Sequence, residues 1–347
     1  MELILTAEEI ENENSRIMLE SNSIISLAAY PNTISANRIK DFVLSDTLPK
    51  EKIDVNILKN RNIRFISGQI QINKGLLINR TTLRYLPTTK TFYSSKIKEE
   101  NVATELCYAT PLLIMHKSLD NEWFYIQSYF CRGWVEKKNV LTINDSSFYD
   151  FLSPKKHIVI TTPTHINDIY LDMGVKLPLL ASHDTFYEVL FPGPNIAHIP
   201  VEVANVGYLP YTKENIIMQA KKYLNTPYRW GGIDGGVDCS LLIVNIFKTF
   251  GLLFPRDTSA QEGIIGIRNI CLKGHTEEEK KEILATSPIP FILFKQGHVL
   301  LGIDCDTVLH AYGDAGKVFI SKLDNTCETN LYPYLTSLSI LYKEKRT

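Results

Sequence analysis

Three things are scarce in this sequence, and each scarcity removes a class of protein. An excess of charge of one sign is missing: 37 Lys and Arg stand against 38 Asp and Glu, a formal net charge of -1 over 347 residues. The basic footprint of a nucleic-acid partner is therefore not there. Long apolar runs are missing too. No stretch approaches the roughly 20 apolar residues of a membrane-spanning helix, so no span is expected. Cysteine is sparse, with 6 residues at 107, 131, 239, 271, 305 and 327 and no CxxC pair. That is no disulfide scaffold; free thiols are the simplest reading, with a disulfide or two in an exported form as the rival. The opening MELILTAEEIENENSRIM has neither a basic n-region nor an apolar h-region, so no signal peptide is expected. The chain is then cytoplasmic if this N-terminus is native, and periplasmic or secreted if a leader was trimmed.

What is present has the balance of a soluble globular protein, 44% hydrophobic and 22% charged. The length suggests roughly two to four domains. Residues 1–75 read as a partly helical clamp segment. Thr6 and Glu9 form a capping-box pattern, and Ser35 precedes a second amphipathic stretch with Ile39, Phe42 and Val43 on one face. Between 76 and 210 short aromatic and β-branched runs alternate with turn residues. A weak repeat is visible, TPLLIMHKSLDNEWFYIQS at 110–128 against LPLLASHDTFYEVLF at 177–191. We read two small all-β barrels in tandem, 76–143 and 144–210. The last domain, 211–347, opens with an amphipathic helix behind Thr212. An almost wholly apolar helix, CSLLIVNIFKTFG, follows at 239–251, closed by Gly251. Strands return from 289. The fold class is α+β, a central helix packed on an antiparallel sheet.

Chemistry concentrates in RWGGIDGGVDCSLL at 229–242. Cys239 falls in the first turn of the central helix, where free N–H groups and the helix dipole favour thiolate and are expected to lower its pKa. The preceding glycines are expected to let a substrate backbone approach. Asp238 would oppose thiolate, so a histidine is needed nearby. His298 and His310 flank a hairpin; a turn centred on Asp304 or Cys305 places both on one sheet face. One imidazole can take the thiol proton while the other fixes its tautomer. A small buried core cysteine is the commonest role for such a position. Metal ligation by Cys305 with the two histidines, or by Cys271 with His275, fits no usual zinc spacing.

TPYRWGG and DCS within 226–240, PRDTSAQ at 255–261, GHVLLGI at 297–303 and VLHAYG at 308–313 occur in order. Together they resemble the NlpC-type papain-like cysteine peptidases of the cell wall. NRTTLRYLPT at 79–88 and GWV at 133–135 resemble the bacterial SH3-like domains of one subgroup. In that subgroup a helical segment and two such barrels precede the peptidase. The resemblance implies a γ-D-glutamyl-L-diamino-acid endopeptidase acting on murein stem peptides with a free L-Ala, in murein peptide recycling or on another organism's wall. Cys239 would be the nucleophile, His298 the base and His310 the orienting residue. Tyr228, Asp238 and Ser240 would line the site, Asp257 would pair with the L-Ala amine with Thr258 or Ser259 close by, and a residue near Tyr129 would be the barrel's contribution. No cofactor and no metal are implied, and a monomer is expected. A catalytically silent wall-binding module, or other glutamyl amidase or acyl-transfer chemistry on the same fold, is the alternative. Two departures stand out: Leu241 where the family has Gly, and IPFILFKQ at 289–296 behind a charged stretch read as a solvated helix or loop.

Overall fold

The computed structural model describes residues 2–46, 48, 53–193 and 195–341. Two compact units emerge: residues 1–24 with 208–347, and residues 25–207. Residues 1–75, one segment in the sequence reading, thus divide after Ile24. Each side of the division has its own packing partners.

In the central unit, Leu27, Ile34, Ile39, Val43 and Ile66 pack in one core with Trp123, Tyr125, Trp134 and Phe148. The strands there form two larger antiparallel sheets. The first has seven strands in the order 102–106, 81–84, 132–136, 123–127, 111–117, 73–77, 140–143. The second has five, in the order 195–200, 186–191, 176–182, 157–160, 204–206. Both arms of the internal repeat are antiparallel hairpins. Pro111–Lys117 pairs with Trp123–Gln127, and Lys176–Ser182 with Phe186–Phe191. Each carries a register shift, between Ile114 and His116 in one and between Leu179 and Ala181 in the other. An extra residue of this kind bends a strand, as small curved sheets require.

In the other unit, helix α1 (Ala7–Glu20) begins with the capping box of Thr6 and Glu9. It is tied to its own unit by polar bonds. Asn14 Nδ2 donates to Gly251 O at 2.8 Å, and Leu253 N donates to Asn14 Oδ1 at 2.8 Å. Arg16 Nη2 donates to Ile264 O at 2.6 Å. Four more helices follow: α2 (Lys213–Lys221), α3 (Cys239–Lys248), α4 (Thr258–Gln261) and α5 (Glu277–Thr286). The strands of this unit are β1 (Arg268–Cys271), β2 (Phe291–Lys295), β3 (His298–Gly302), β4 (Thr307–Tyr312), β5 (Lys317–Lys322) and β6 (Leu335–Ile340). They form one antiparallel sheet in the order β1–β6–β2–β3–β4–β5. Helix α3 packs on β3 and β4.

Every residue of α3 from Cys239 to Phe247 is buried. Its Ile243, Val244 and Ile246 are β-branched and weak helix formers. Burial decides their state, because each apolar side chain removed from water contributes about 1.5–3 kcal/mol against a propensity cost of a few tenths. The helix ends because Gly251 turns left-handed, φ 84°; a Cβ there would lie 2.9 Å from the Tyr208 ring.

The charged stretch before β2 differs from its sequence reading. It is helix α5 behind a second capping box, Thr276 with Glu279, but it is not merely a solvated face. Leu284 and Lys280 are buried. Lys280 Nζ donates to the carbonyls of Tyr332 at 2.9 Å, Pro333 at 3.3 Å and Leu335 at 3.1 Å, which pins the entry to β6. Among the described residues no helix is long and apolar enough to cross a membrane. None of the six cysteines is in a disulfide.

Candidate active site

The site is assembled where the first turn of α3 meets the start of β3. Asp238 is the N-cap of α3, and its Oδ1 accepts from Leu241 N at 2.9 Å. That bond satisfies one of the N–H groups the helix start leaves over. Its Oδ2 accepts from Gly231 N at 2.9 Å. Gly231 has φ 70°, a left-handed backbone that directs its N–H into the cap. Gly236 is needed for a different reason: a Cβ there would sit 2.7 Å from both Arg229 Cβ and Pro227 O. These two glycines shape the loop around Asp238.

Asp238 is not a bare charge beside Cys239. Arg256 grips it through both terminal nitrogens, Nη1 to Oδ1 at 3.1 Å and Nη2 to Oδ2 at 2.5 Å. The pair is buried, with side-chain exposures of 6% and 8%. Arg256 Nη1 also donates to Ser240 Oγ at 2.8 Å, and Gln261 Nε2 to Ser240 O at 3.2 Å and Pro255 O at 2.8 Å. Fork-like pairing of guanidinium and carboxylate fixes both groups in orientation as well as charge. Arg256 and Gln261 both lie in PRDTSAQ, but no local pattern marks a partner 18 residues away, so the sequence does not single them out.

Cys239 is 7% exposed. Its Sγ lies 3.6 Å from Thr258 Oγ1. The expected depression of its pKa is reversed. Burial raises it first, and the charge of Asp238 raises it further; Thr258, the backbone of Val299 and Arg256 pull it down. A sulfur withdrawn from water has little solvent left to stabilise a negative charge, so the neutral thiol is favoured.

The two histidines share one face of the β3–β4 hairpin. Leu301 pairs with Leu309 and Gly302 with Val308, a register centred on residue 305. His298 Nε2 lies 2.8 Å from His310 Nδ1. Their rings meet edge to face with centroids 5.1 Å apart. His310 Nε2 reaches Ser321 Oγ on β5 at 3.3 Å, and its ring stacks on Phe319 at 4.9 Å. Burial lowers the pKa of both, His298 well below 6.5 and His310 to about 3; His310 and Lys295 add to the effect on His298, and Lys295 to that on His310. These directions, the thiol raised and both imidazoles lowered, favour the neutral forms of all three groups. A thiol and imidazole in those forms can pass a proton during attack rather than store a thiolate beforehand.

Of the remaining residues singled out in the sequence, Tyr228, Ser240 and Thr258 join this cluster. Burial raises the Tyr228 phenol pKa, with the charges of Cys239 and Asp238 adding to it. Asp257 is exposed, and it precedes α4 without making a side-chain cap bond. Desolvation of its carboxyl raises its pKa; Arg256 opposes this and the charge of Asp238 adds to it. Tyr129 belongs to the other unit, where its ring packs on Phe130 at 4.4 Å. Leu241 is 2% exposed, and its N–H still serves the Asp238 cap. The helix start therefore accommodates leucine without losing its N-terminal bond.

Comparison with known proteins matches two parts of the chain. Residues 225–333 match the NlpC/P60 family, and residues 99–136 match the SH3 domain of SH3b1 type. The chain is 24% identical over 253 residues to dipeptidyl-peptidase 6 of Lysinibacillus sphaericus, a match covering 67% of this chain and 88% of that protein. It is 29% identical over 131 residues to the gamma-D-glutamyl-L-lysine dipeptidyl-peptidase of Bacillus subtilis strain 168, covering 37% of this chain and 44% of that protein. Among solved structures, an NlpC/P60 endopeptidase from Photobacterium damselae subsp. piscicida superposes with a TM-score of 0.75 at 19% identity, over 98% of this chain and 94% of that one. At that identity the likeness concerns the fold.

Proposed function

We propose that this chain, an NlpC/P60 peptidase domain preceded by an SH3b domain, is a cysteine endopeptidase of murein stem peptides. It hydrolyses the γ-D-glutamyl bond to the diamino acid in peptides with a free N-terminal L-Ala. One observation carries the reading: Cys239 opens a buried helix packed on the two strands whose histidines are joined at 2.8 Å. The name of the Bacillus subtilis relative, which specifies the γ-D-glutamyl-L-lysine bond, supports the choice of substrate.

In the proposed reaction Cys239 Sγ attacks the γ-carbonyl carbon of D-Glu while His298 takes the thiol proton. The carbonyl oxygen becomes an oxyanion in the first turn of α3, and the Cys239 N–H supplies part of the hole that receives it. The C–N bond then breaks, and the imidazolium of His298 returns its proton to the departing amine of the diamino acid. Water then attacks the thioester as His298 takes a proton from it; the C–S bond breaks, and His298 returns that proton to the departing Cys239 sulfur, which restores the thiol and releases the free carboxylic acid of the dipeptide. His310 holds the His298 ring throughout. The Asp257 carboxylate, exposed and not engaged in capping its helix, pairs with the L-Ala ammonium. Dipeptide release follows from that pairing, because it places the scissile bond a fixed distance from the free amine.

The test is release of L-Ala-γ-D-Glu from a free stem tripeptide or tetrapeptide. Cys239→Ala should abolish it; undiminished release by that variant defeats the assignment. N-acetylation of the substrate's L-Ala should remove most of the activity, and equal turnover of the two forms would exclude Asp257 as the amine anchor.

A further inference from the structure

The histidine pair does not end at His310. On β4 His310 pairs in register with Phe319 of β5, so Ser321 stands diagonal to it and within reach of its Nε2 at 3.3 Å. Ser321 Oγ is in turn 2.9 Å from Thr326 Oγ1, and Thr326 Oγ1 donates to Lys322 O at 2.9 Å. Thr326 is completely buried in the turn that follows β5, and His310 is completely buried on its strand.

The last acceptor gives the chain a direction. A backbone carbonyl only accepts, so the single hydroxyl hydrogen of Thr326 is committed to Lys322 O. Thr326 Oγ1 must then accept from Ser321, which commits the single hydrogen of Ser321. Ser321 Oγ is left to accept, and the group facing it is His310 Nε2, which must carry a hydrogen. A neutral imidazole has one N–H and one lone pair. His310 Nδ1 therefore holds the lone pair and accepts from His298 Nε2–H at 2.8 Å. The same rule leaves the lone pair of His298 on Nδ1, the nitrogen not used by the pair. Burial supports this, since it disfavours the doubly protonated form of both rings.

We infer that Ser321, backed by Thr326, is a positioning residue that sets the tautomer of His310 and, through it, keeps His298 Nδ1 free as the proton acceptor for Cys239. The inference rests on the peptidase reading for its catalytic consequence, but the tautomer assignment stands on the hydrogen-bond chain alone. Without the Ser321 hydroxyl, His310 loses the acceptor for its Nε2–H, and its other tautomer sets two N–H groups against each other at the His298 contact.

The experiment pairs kinetics with 15N spectroscopy of the histidine rings in the full chain. The probe is the free tripeptide L-Ala-γ-D-Glu-L-Lys. The unaltered protein should show His310 as the Nε2–H tautomer and His298 likewise. Ser321→Ala should mix the His310 tautomers and lower kcat about tenfold, the equivalent of one lost hydrogen bond, with KM within about twofold. Ser321→Thr, which keeps the hydroxyl, should restore both. Thr326→Val should shift both in the same direction by less, and serves as the second variant if Ser321→Ala does not fold. An unchanged His310 signature, an unchanged kcat in folded Ser321→Ala, a loss confined to KM, or a loss not restored by Ser321→Thr each overturns the inference. If Cys239→Ala stays active the peptidase reading fails instead, and the ring spectra still decide the tautomer.

Discussion

Buried arginine–carboxylate pairs occur in both units of this protein, and two of them, one from each unit, do different work. In the SH3b-bearing unit Arg84 Nη1 meets Glu99 Oε2 at 3.0 Å, with side-chain exposures of 16% and 3%. The other oxygen of Glu99 accepts from Phe92 N and from Asn101 N, each at 2.9 Å. That carboxylate knots a loop back onto its strands. In the NlpC/P60-bearing unit Arg256 and Asp238 are buried comparably, but Asp238 also starts the helix that presents Cys239. A buried ion pair by itself is therefore no sign of a site. What its members touch next decides the role, and of the two only the Arg256–Asp238 pair adjoins the proposed nucleophile, Cys239.

The comparison can be broken by removing each arginine. Arg256→Met strands the Asp238 carboxylate in the interior, and stability should fall by about 3–5 kcal/mol. It should also raise the Cys239 pKa further, because Arg256 is one of the groups that lowers it. Urea unfolding and the pH dependence of thiol alkylation would report the two effects separately; a stable variant with unchanged alkylation would remove Arg256 from the site. Arg84→Met should cost less, about 1–3 kcal/mol, because Glu99 keeps its two backbone donors. Its kcat per folded molecule should match that of the unaltered protein, and a matching loss of kcat would erase the distinction drawn here.

Acid should weaken both units, yet only one in its chemistry. Burial lowers His310 to about 3 and His157, in the SH3b-bearing unit, to about 4. In each case the unfolded chain binds the proton first. Stability is thus complete above the ordinary value of 6.5 and declines as pH falls from there toward the folded value, by at most about 1.4 kcal/mol per pH unit for each residue. His310→Gln and His157→Gln should each flatten the dependence of melting temperature on pH. The acid limb of kcat/KM should also lie below pH 6.5, since burial holds His298 well below that value; a limb above it would contradict the neutral resting pair. The smallest effects belong to exposed caps. Ser35→Ala in one unit and Thr276→Ala in the other should each cost about 0.5–1 kcal/mol and leave kcat alone.

Much of the local structure was legible in the residues. Thr6, Ser35 and Thr212 cap the helices their spacing announces. The apolar run after Cys239 is the buried central helix, and the hairpin carrying His298 and His310 turns about residue 305. The charged stretch before β2 was half legible. Its capping box announces a helix, but nothing nearby says that Lys280 turns inward to three carbonyls over 50 residues away.

Features whose partners lie within about four residues, or alternate along a strand, can be read from the residues alone: caps, helix faces, hairpin register, and the order of the motifs. Folding in three dimensions brings Arg256 to Asp238, extends the histidine chain to Ser321 and Thr326, and divides residues 1–75 between two units. It also decided the direction of the Cys239 pKa. A helix terminus is a local field that can be read from position, whereas desolvation depends on every atom packed around the sulfur, and that count exists only once the chain has folded.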